Sequence, residues 1–197
     1  LFARDILSRN PGAEIIFDVK CSNHLTSLIN DLGGKALMWK TGHSHIKAKL
    51  KETGALLGGE FSGHICFVER WFGFDDALYA ASRLLELLSV ETRSVEDIFL
   101  DFPTTVSTPE IKIETTEKKK FDVIDALSRS NHFDSGEIAT IDGIRVDYED
   151  GWGLIRASNT SPVLTLRFEA QSKEALMRIK DTFHTAITDI DPNLVMP

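Results

Sequence analysis

The sequence predicts a three-layer α/β domain followed by a small α+β domain with an antiparallel sheet and helices on one face. Three observations carry this reading. In the first half, short apolar runs alternate with stretches of helical period, the pattern of a sheet covered by helices on both faces. Phe102-Pro-Thr-Thr-Val-Ser-Thr-Pro109 then has the composition of a linker. Beyond it the order becomes β-α-β-β-β-β-α, with the alternation of half-buried strands. The division drawn is 1–102, a linker at 103–109, and 110–197.

Leu1 to Ser8 reads as a helix, and Glu14–Cys21 as a short apolar strand. Leu25, Leu28, Ile29 and Leu32 mark one helical face, stopped by Gly33-Gly34. Lys35–Lys40 is a second strand. Ser44 is placed to cap a helix running to about Thr53, with Ile46 and Leu50 inward. Short strands near 55–60 and 64–68 follow. Asp75 is placed to cap a helix with Leu78, Ala81, Leu85 and Leu88 on one face, and Ser94-Val-Glu-Asp97 reads as a capping-box variant. In the second half, Glu110–Thr115 alternates, and Glu117–Arg129 is helical with Phe121, Ile124 and Leu127 apolar. Asp142-Gly143 reads as a tight hairpin turn. Trp152–Ala157 and Val163–Ala170 extend the antiparallel set. Ser172 opens a long helix with Leu176, Ile179, Phe183, Ile187 and Ile190 inward.

Composition bounds the function. The chain has 197 residues, 42% of them hydrophobic, enough for packed cores, and no run long enough for a membrane span. A net charge of −8 argues against a broad nucleic-acid surface. Any anion pocket is therefore a local positive patch on an acidic protein. Cys21 and Cys66 fall in apolar strand patterns and read as free thiols rather than a disulfide. The expected setting is the cytoplasm.

The richest chemistry lies in Gly58-Gly-Glu-Phe-Ser-Gly-His64. In an extended segment, Glu60, Ser62 and His64 share one face. A carboxylate there accepts hydrogen bonds from sugar hydroxyls, and an imidazole serves a phosphate or moves a proton. Gly58, Gly59 and Gly63 would leave the backbone open to a ligand. A plain glycine-rich turn before the strand Ile65–Val68 is the competing reading.

Trp152-Gly-Leu-Ile-Arg-Ala-Ser-Asn-Thr-Ser-Pro162 is a second cluster, ending a strand among polar donors. Arg156 offers a fork for a phosphate, Ser158 and Thr160 hydroxyls, and Asn159 an amide. Pro162 blocks a helix here, so the segment is no P-loop. A hydrogen-bonded turn between strands is the alternative, and Asn159-Thr160-Ser161 also spells a glycosylation sequon. Lys20, at the end of an apolar strand, reaches either solvent or an anion. Lys40, Gly42 and His43 fall where a strand gives way to a helix, whose first N–H groups favour anions. His43-x-His45 has no third partner at metal spacing, so no metal site is assigned.

Together these segments resemble the α-D-phosphohexomutases, and among them the bacterial phosphomannomutase/phosphoglucomutase branch. Phe17-Asp-Val-Lys-Cys21, Lys40-Thr-Gly-His-Ser44 and Glu69-Arg-Trp-Phe-Gly-Phe-Asp-Asp76 resemble further family segments in the family's order, over nearly the whole chain. Phosphoglucosamine mutases have a similar sugar loop. They typically carry Gly-Thr-Glu in place of Asn159-Thr160-Ser161, which ranks them second.

The resemblance implies the third and fourth domains of a longer enzyme. The family's phosphoserine loop and its magnesium-binding aspartate loop do not occur here. It implies interconversion of hexose 1-phosphate and hexose 6-phosphate through a bisphosphate intermediate such as glucose 1,6-bisphosphate. Mg²⁺ and the serine would come from the preceding domains of the same protein. Lys20, His43, Glu60, Ser62, His64, Arg156, Ser158, Asn159 and Thr160 would bind the hexose phosphate. His64 or His43 would serve proton transfer. A sugar-phosphate-binding module without chemistry is the reading from another class.

Overall fold

Helix α1 (Phe2–Arg9) leads into the buried strand β1 (Glu14–Asp18) in the computed structural model, which describes residues 1–133 and 135–196. The described chain divides into two units, Leu1–Pro103 and Thr104–Pro197. In the first, α2 (Asn23–Asp31) carries the chain to β2 (Lys35–Trp39), and α3 (His43–Thr53) carries it to β3 (Leu57–Gly59). Strand β4 (Ile65–Phe67) turns back along β3, and α4 (Ala77–Val90) and α5 (Val95–Phe99) complete the unit. The sheet order is β2-β1-β3-β4, parallel except for the β3/β4 hairpin.

The run Ile15-Ile16-Phe17 is apolar throughout because β1 is buried on both faces. Ile16, with Cys66 of β4, packs against Ile46 and Leu50 of α3. Ile15 and Phe17 pack on the other face, with Ile6 and Leu7 of α1 and Ile29 of α2. That is the three-layer arrangement. Cys21 and Cys66 are free thiols, and burial pushes the Cys66 thiol up to about 11.

Gly58 has a different role from the one expected. A Cβ added there would lie 2.5 Å from Ile46 Cγ2 and 3.0 Å from Leu50 Cδ1. The glycine therefore lets α3 close onto β3; its backbone faces core side chains rather than a ligand. Gly58→Ala overpacks this contact and is expected to cost about 1–3 kcal/mol, read as a lower urea midpoint at unchanged slope. An unchanged midpoint would show that α3 shifts without penalty.

Several boundaries moved. The first strand stops at Asp18 rather than Cys21, because Cys21 N–H bonds back to the Asp18 carbonyl at 3.0 Å and turns the chain toward the Ser22 cap. Helix α3 starts at His43 behind Gly42, not at a Ser44 cap. Asp76, not Asp75, caps α4, accepting from Tyr79 N–H at 2.9 Å. The inward face of α4 was also misassigned. Leu78 is 83% exposed and Leu85 is exposed, whereas Tyr79, Ala80 and Arg83 face the core. Arg83 lies over Phe67 and pairs with Asp5 and Glu69. Hydrophobic spacing alone cannot see an arginine whose guanidinium is both stacked and neutralised. Burial raises the Asp5 carboxyl, but the Arg9 and Arg83 guanidiniums outweigh it and hold Asp5 below the usual carboxylate range.

The second unit begins with β5 (Val106–Ser107), inside the stretch read as a linker, which pairs with the end of β10 (Val163–Ala170). Then come β6 (Ile111–Glu114), α6 (Glu117–Ser128), β7 (Glu137–Ala139), β8 (Ile144–Tyr148), β9 (Gly151–Ala157), β10 itself and α7 (Lys173–Ile190). The sheet is antiparallel, in the order β5-β10-β9-β8-β7, with β6 also on β10. Ile144, Val146, Ile155, Leu164, Leu166 and Phe168 meet Val123 and Leu127 of α6 and Ile179, Phe183 and Ile187 of α7. Both helices thus lie on one face. The alternate residues include Arg145, Trp152 and Arg167, with the Trp152 ring 4.0 Å from the Arg145 guanidinium and 5.4 Å from that of Arg167. In α6 the apolar Phe121 is exposed, and Lys120 beside it is buried.

Candidate functional site

In the first unit, the connections after β1, β2 and β3 leave the same, carboxyl-terminal edge of the parallel strands. That edge is where ligands bind in open α/β sheets. Asp18, fully buried, ties the three together. Its Oδ1 accepts from Phe61 N–H at 3.1 Å and from the Cys21 thiol at 3.2 Å. Its Oδ2 accepts from Thr41 Oγ1 at 3.1 Å and lies 3.8 Å from Lys20 Nζ. Lys20 is therefore buried and paired, not extended into solvent. Asp18 was missed in the sequence, although a carboxylate in the run Ile-Ile-Phe-Asp-Val carries the same burial cost that singled out Lys20.

The Glu60 segment is not an extended row. Gly63 N–H bonds to the Glu60 carbonyl at 2.9 Å and Glu60 N–H to the His64 carbonyl at 3.0 Å, so residues 60–64 form the tip of the β3/β4 hairpin. Gly63 holds φ +88°, the left-handed region that glycine enters without strain. Glu60 and His64 face each other across the hairpin base, and Ser62 sits exposed at its tip. Glu60 itself is 6% exposed. Its Oε1 accepts from Gly42 N–H at 2.6 Å, supplying from another loop the carboxylate cap that the start of α3 lacks. Its Oε2 is buried with no hydrogen-bond partner among the described residues.

His43, the first residue of α3, brings its ring to 6.1 Å from that of His64, centroid to centroid. His64 Nδ1 lies 2.6 Å from Asp75 Oδ2. An ionised carboxylate only accepts, so Nδ1 donates and Nε2 is the nitrogen open to proton exchange in the neutral ring. Asp75, expected as a helix cap, instead orients this histidine. Lys20, His43, Glu60 and His64 are thus gathered on one edge of the first unit.

In the second unit the candidate anion loop joins β9 to β10. Arg156, at the end of β9, is nearly buried. Its fork faces Asp142, with Nε 3.0 Å from Oδ2 and Nη2 3.3 Å from Oδ1. Asp142 lies on a connection wider than the tight turn expected, since the flanking register pairs Ala139 with Arg145. Gly143 is required there. At φ +81°, a Cβ would stand 2.3 Å from the Ile155 carbonyl oxygen and 2.6 Å from Arg156 Cα. Ser158 N–H closes the loop onto the Val163 carbonyl at 3.0 Å, and Ser158 Oγ accepts from Thr160 N–H at 3.3 Å. Asn159 and Thr160 are exposed at the crest. Below them, Lys120 Nζ donates to the carbonyls of Ser158 at 2.7 Å and Ser161 at 3.0 Å. The sequence offered Asp142 only as a turn residue and did not single out Lys120. Asp142 is brought in by the pairing of β8 with β9, and Lys120 by the packing of α6 on the sheet.

Among the described residues no group of three or more His, Cys, Asp or Glu side chains is placed to hold a metal ion. No described helix is long and apolar enough to cross a membrane.

Residues 1–106 match the family description "Phosphoglucomutase/phosphomannomutase, alpha/beta/alpha domain III", and residues 110–186 match "Phosphoglucomutase/phosphomannomutase, C-terminal domain". The chain is 60% identical to a phosphomannomutase/phosphoglucomutase of Pseudomonas putida, over all of this chain and 42% of that protein. It is 52% identical to a phosphoglucomutase of Neisseria meningitidis, over all of this chain and 43% of that protein. A solved phosphoglucomutase/phosphomannomutase family protein of Burkholderia thailandensis superposes with a TM-score of 0.92 at 50% identity, over 100% of this chain and 42% of that one. The chain thus spans well under half the length of these relatives.

Proposed function

The chain belongs to the phosphoglucomutase/phosphomannomutase family, and we propose that it is the substrate-gripping part of a phosphohexomutase interconverting 1- and 6-phosphates of glucose and mannose. The observation that carries this is the orphaned Oε2 of Glu60. One oxygen of the carboxylate is fixed on Gly42 N–H; the other is buried, oriented and without a partner among the described residues. A sugar hydroxyl donating to it would satisfy a buried acceptor whose isolation is otherwise costly.

In this reading Glu60 and Ser62 hold hydroxyls presented alike in either orientation of the sugar. Lys20 adds positive charge, and Lys20 and His43 add donors, at the same edge. His64, oriented by Asp75, exchanges a proton through Nε2 near the reacting end. Arg156, Ser158, Asn159 and Thr160 hold the phosphate that is not reacting. Transfer of a phosphoryl group depends mainly on positioning and charge neutralisation, and both are what these side chains offer. The described residues do not fit a magnesium ion. Magnesium and the phosphorylated serine are assigned to the part of the longer relatives that these 197 residues do not match, and glucose 1,6-bisphosphate to the role of intermediate.

The test uses glucose 1-phosphate with Mg²⁺ and glucose 1,6-bisphosphate. The 197-residue chain is expected to give no glucose 6-phosphate, whereas a protein carrying it behind the preceding family domains is expected to turn over. Turnover that co-purifies with the 197-residue chain, after a control for host enzyme, would overturn the division of labour. A longer protein that binds but never converts hexose phosphates would favour a binding module.

A further inference from the structure

Helix α6 breaks its own hydrophobic pattern. Phe121 is exposed while its neighbour Lys120 is 2% exposed. Burying an ammonium and exposing a phenyl ring is unfavourable unless the amine has partners that a hydrocarbon cannot replace. Lys120 has three N–H donors. Three acceptors meet them: the Ser158 carbonyl at 2.7 Å, the Ser161 carbonyl at 3.0 Å and Glu117 Oε2 at 2.7 Å. Violations of local pattern of this kind concentrate where structure serves function.

The two carbonyls belong to the two arms of the β9–β10 loop, with only Asn159 and Thr160 between them. We propose that Lys120 is the positioning residue of this loop, fixing the peptide planes of residues 158–162 so that the crest presents donors to an anion. All peptide bonds described are trans, so a carbonyl held inward at Ser158 turns the N–H of Asn159 to the opposite, outer side. The ammonium's charge is paired with Glu117 Oε2 at 2.7 Å, so Lys120 acts on an anion through the shape it gives the loop. This rests on the reading of the loop as the phosphate grip.

The experiment titrates inorganic phosphate into the ¹⁵N-labelled 197-residue chain and follows the amides of residues 156–163. The wild type is expected to show saturable shifts at Ser158, Asn159 and Thr160. Lys120→Met is expected to shift these amides before phosphate is added, and to raise the phosphate Kd about ten-fold, the loss of roughly one hydrogen bond to a charged group. Val123→Ala, on the same helix but facing the core, is the structural control: it lowers the melting temperature and leaves the phosphate Kd unchanged. Should Lys120→Met fail to fold, Lys120→Gln carries the test. It keeps two donors without the charge, and an intermediate rise in Kd is expected. A Lys120→Met or Lys120→Gln chain that binds phosphate like the wild type overturns the positioning role while leaving the anion loop intact. Wild-type amides that do not respond to phosphate overturn the anion loop and Lys120's role with it. An equal loss in Val123→Ala reduces Lys120 to a packing residue.

Discussion

Arg156→Ala is expected to lower kcat/KM of the longer protein by roughly ten- to a hundred-fold for both glucose and mannose phosphates, the worth of a charge-assisted hydrogen bond at about 1.5–3 kcal/mol. The structure places this expectation toward the larger end. Arg156 is nearly buried, and its fork is paired with Asp142. Removing the guanidinium would delete the proposed phosphate donor and also break the ion pair with Asp142 beside the loop. Arg156→Lys is expected to recover only part, since an ammonium cannot hold Asp142 and a phosphate in one plane. The double variant Arg156→Ala with Asp142→Ala is expected to recover part of the loss as well, because the carboxylate that repels an anion at this loop goes with it. Steady-state kinetics with both sugar phosphates checks this. Unchanged kcat/KM in Arg156→Ala would remove Arg156 from the grip.

The second large effect is expected at Glu60. Glu60→Gln keeps the shape and leaves one oxygen to accept from Gly42 N–H. It replaces the orphaned acceptor Oε2 with a donor, which cannot accept from the proposed sugar hydroxyl. A fall of roughly ten- to a hundred-fold in kcat/KM follows from losing a hydrogen bond to a charged group at about 1.5–3 kcal/mol. The loss is expected to be similar for glucose and mannose phosphates if the hydroxyls concerned are common to both. Because Glu60 also caps α3, part of any effect is structural. A melting curve separates the two, since a cap is worth about 1 kcal/mol of stability. Phosphate binding by the 156–162 loop, in the other unit, is expected to be unchanged. A variant that loses phosphate affinity but keeps normal sugar kinetics would show that the two grips are assigned the wrong way round.

Much of the architecture was legible because it is written in short-range periodicity. Ile15-Ile16-Phe17 had to be a strand buried on both faces, and the Gly33-Gly34 stop and the Ser94 and Ser172 caps fell where the helices begin or end. The order β-α-β-β-β-β-α after residue 110 needed nothing beyond alternation and turn residues. Periodicity failed where polar groups carry the packing. Helix α4 contains two stripes, and the purely apolar one through Leu78 and Leu85 was chosen, yet the stripe with Tyr79 and Arg83 is inside. Helix α6 repeats the lesson with Lys120 and Phe121.

The sequence by itself determined the kinds of element, their order and the residue types concentrated in the two candidate loops. Those follow from spacing and composition, which are local. The tertiary structure alone decided which groups support those loops. Asp18 gathers Lys20, Thr41 and Phe61 because parallel strands bring three separated connections to one edge. The β3/β4 turn buries Glu60 and leaves Ser62 outside. Asp142 reaches Arg156 through the pairing of β8 with β9, and Lys120 reaches Ser158 from a helix 38 residues away in sequence. A buried charge is stable only beside partners; Lys20 and Lys120 each have one close by in Asp18 and Glu117, but the remaining partners come from distant parts of the chain, so no local pattern announces them.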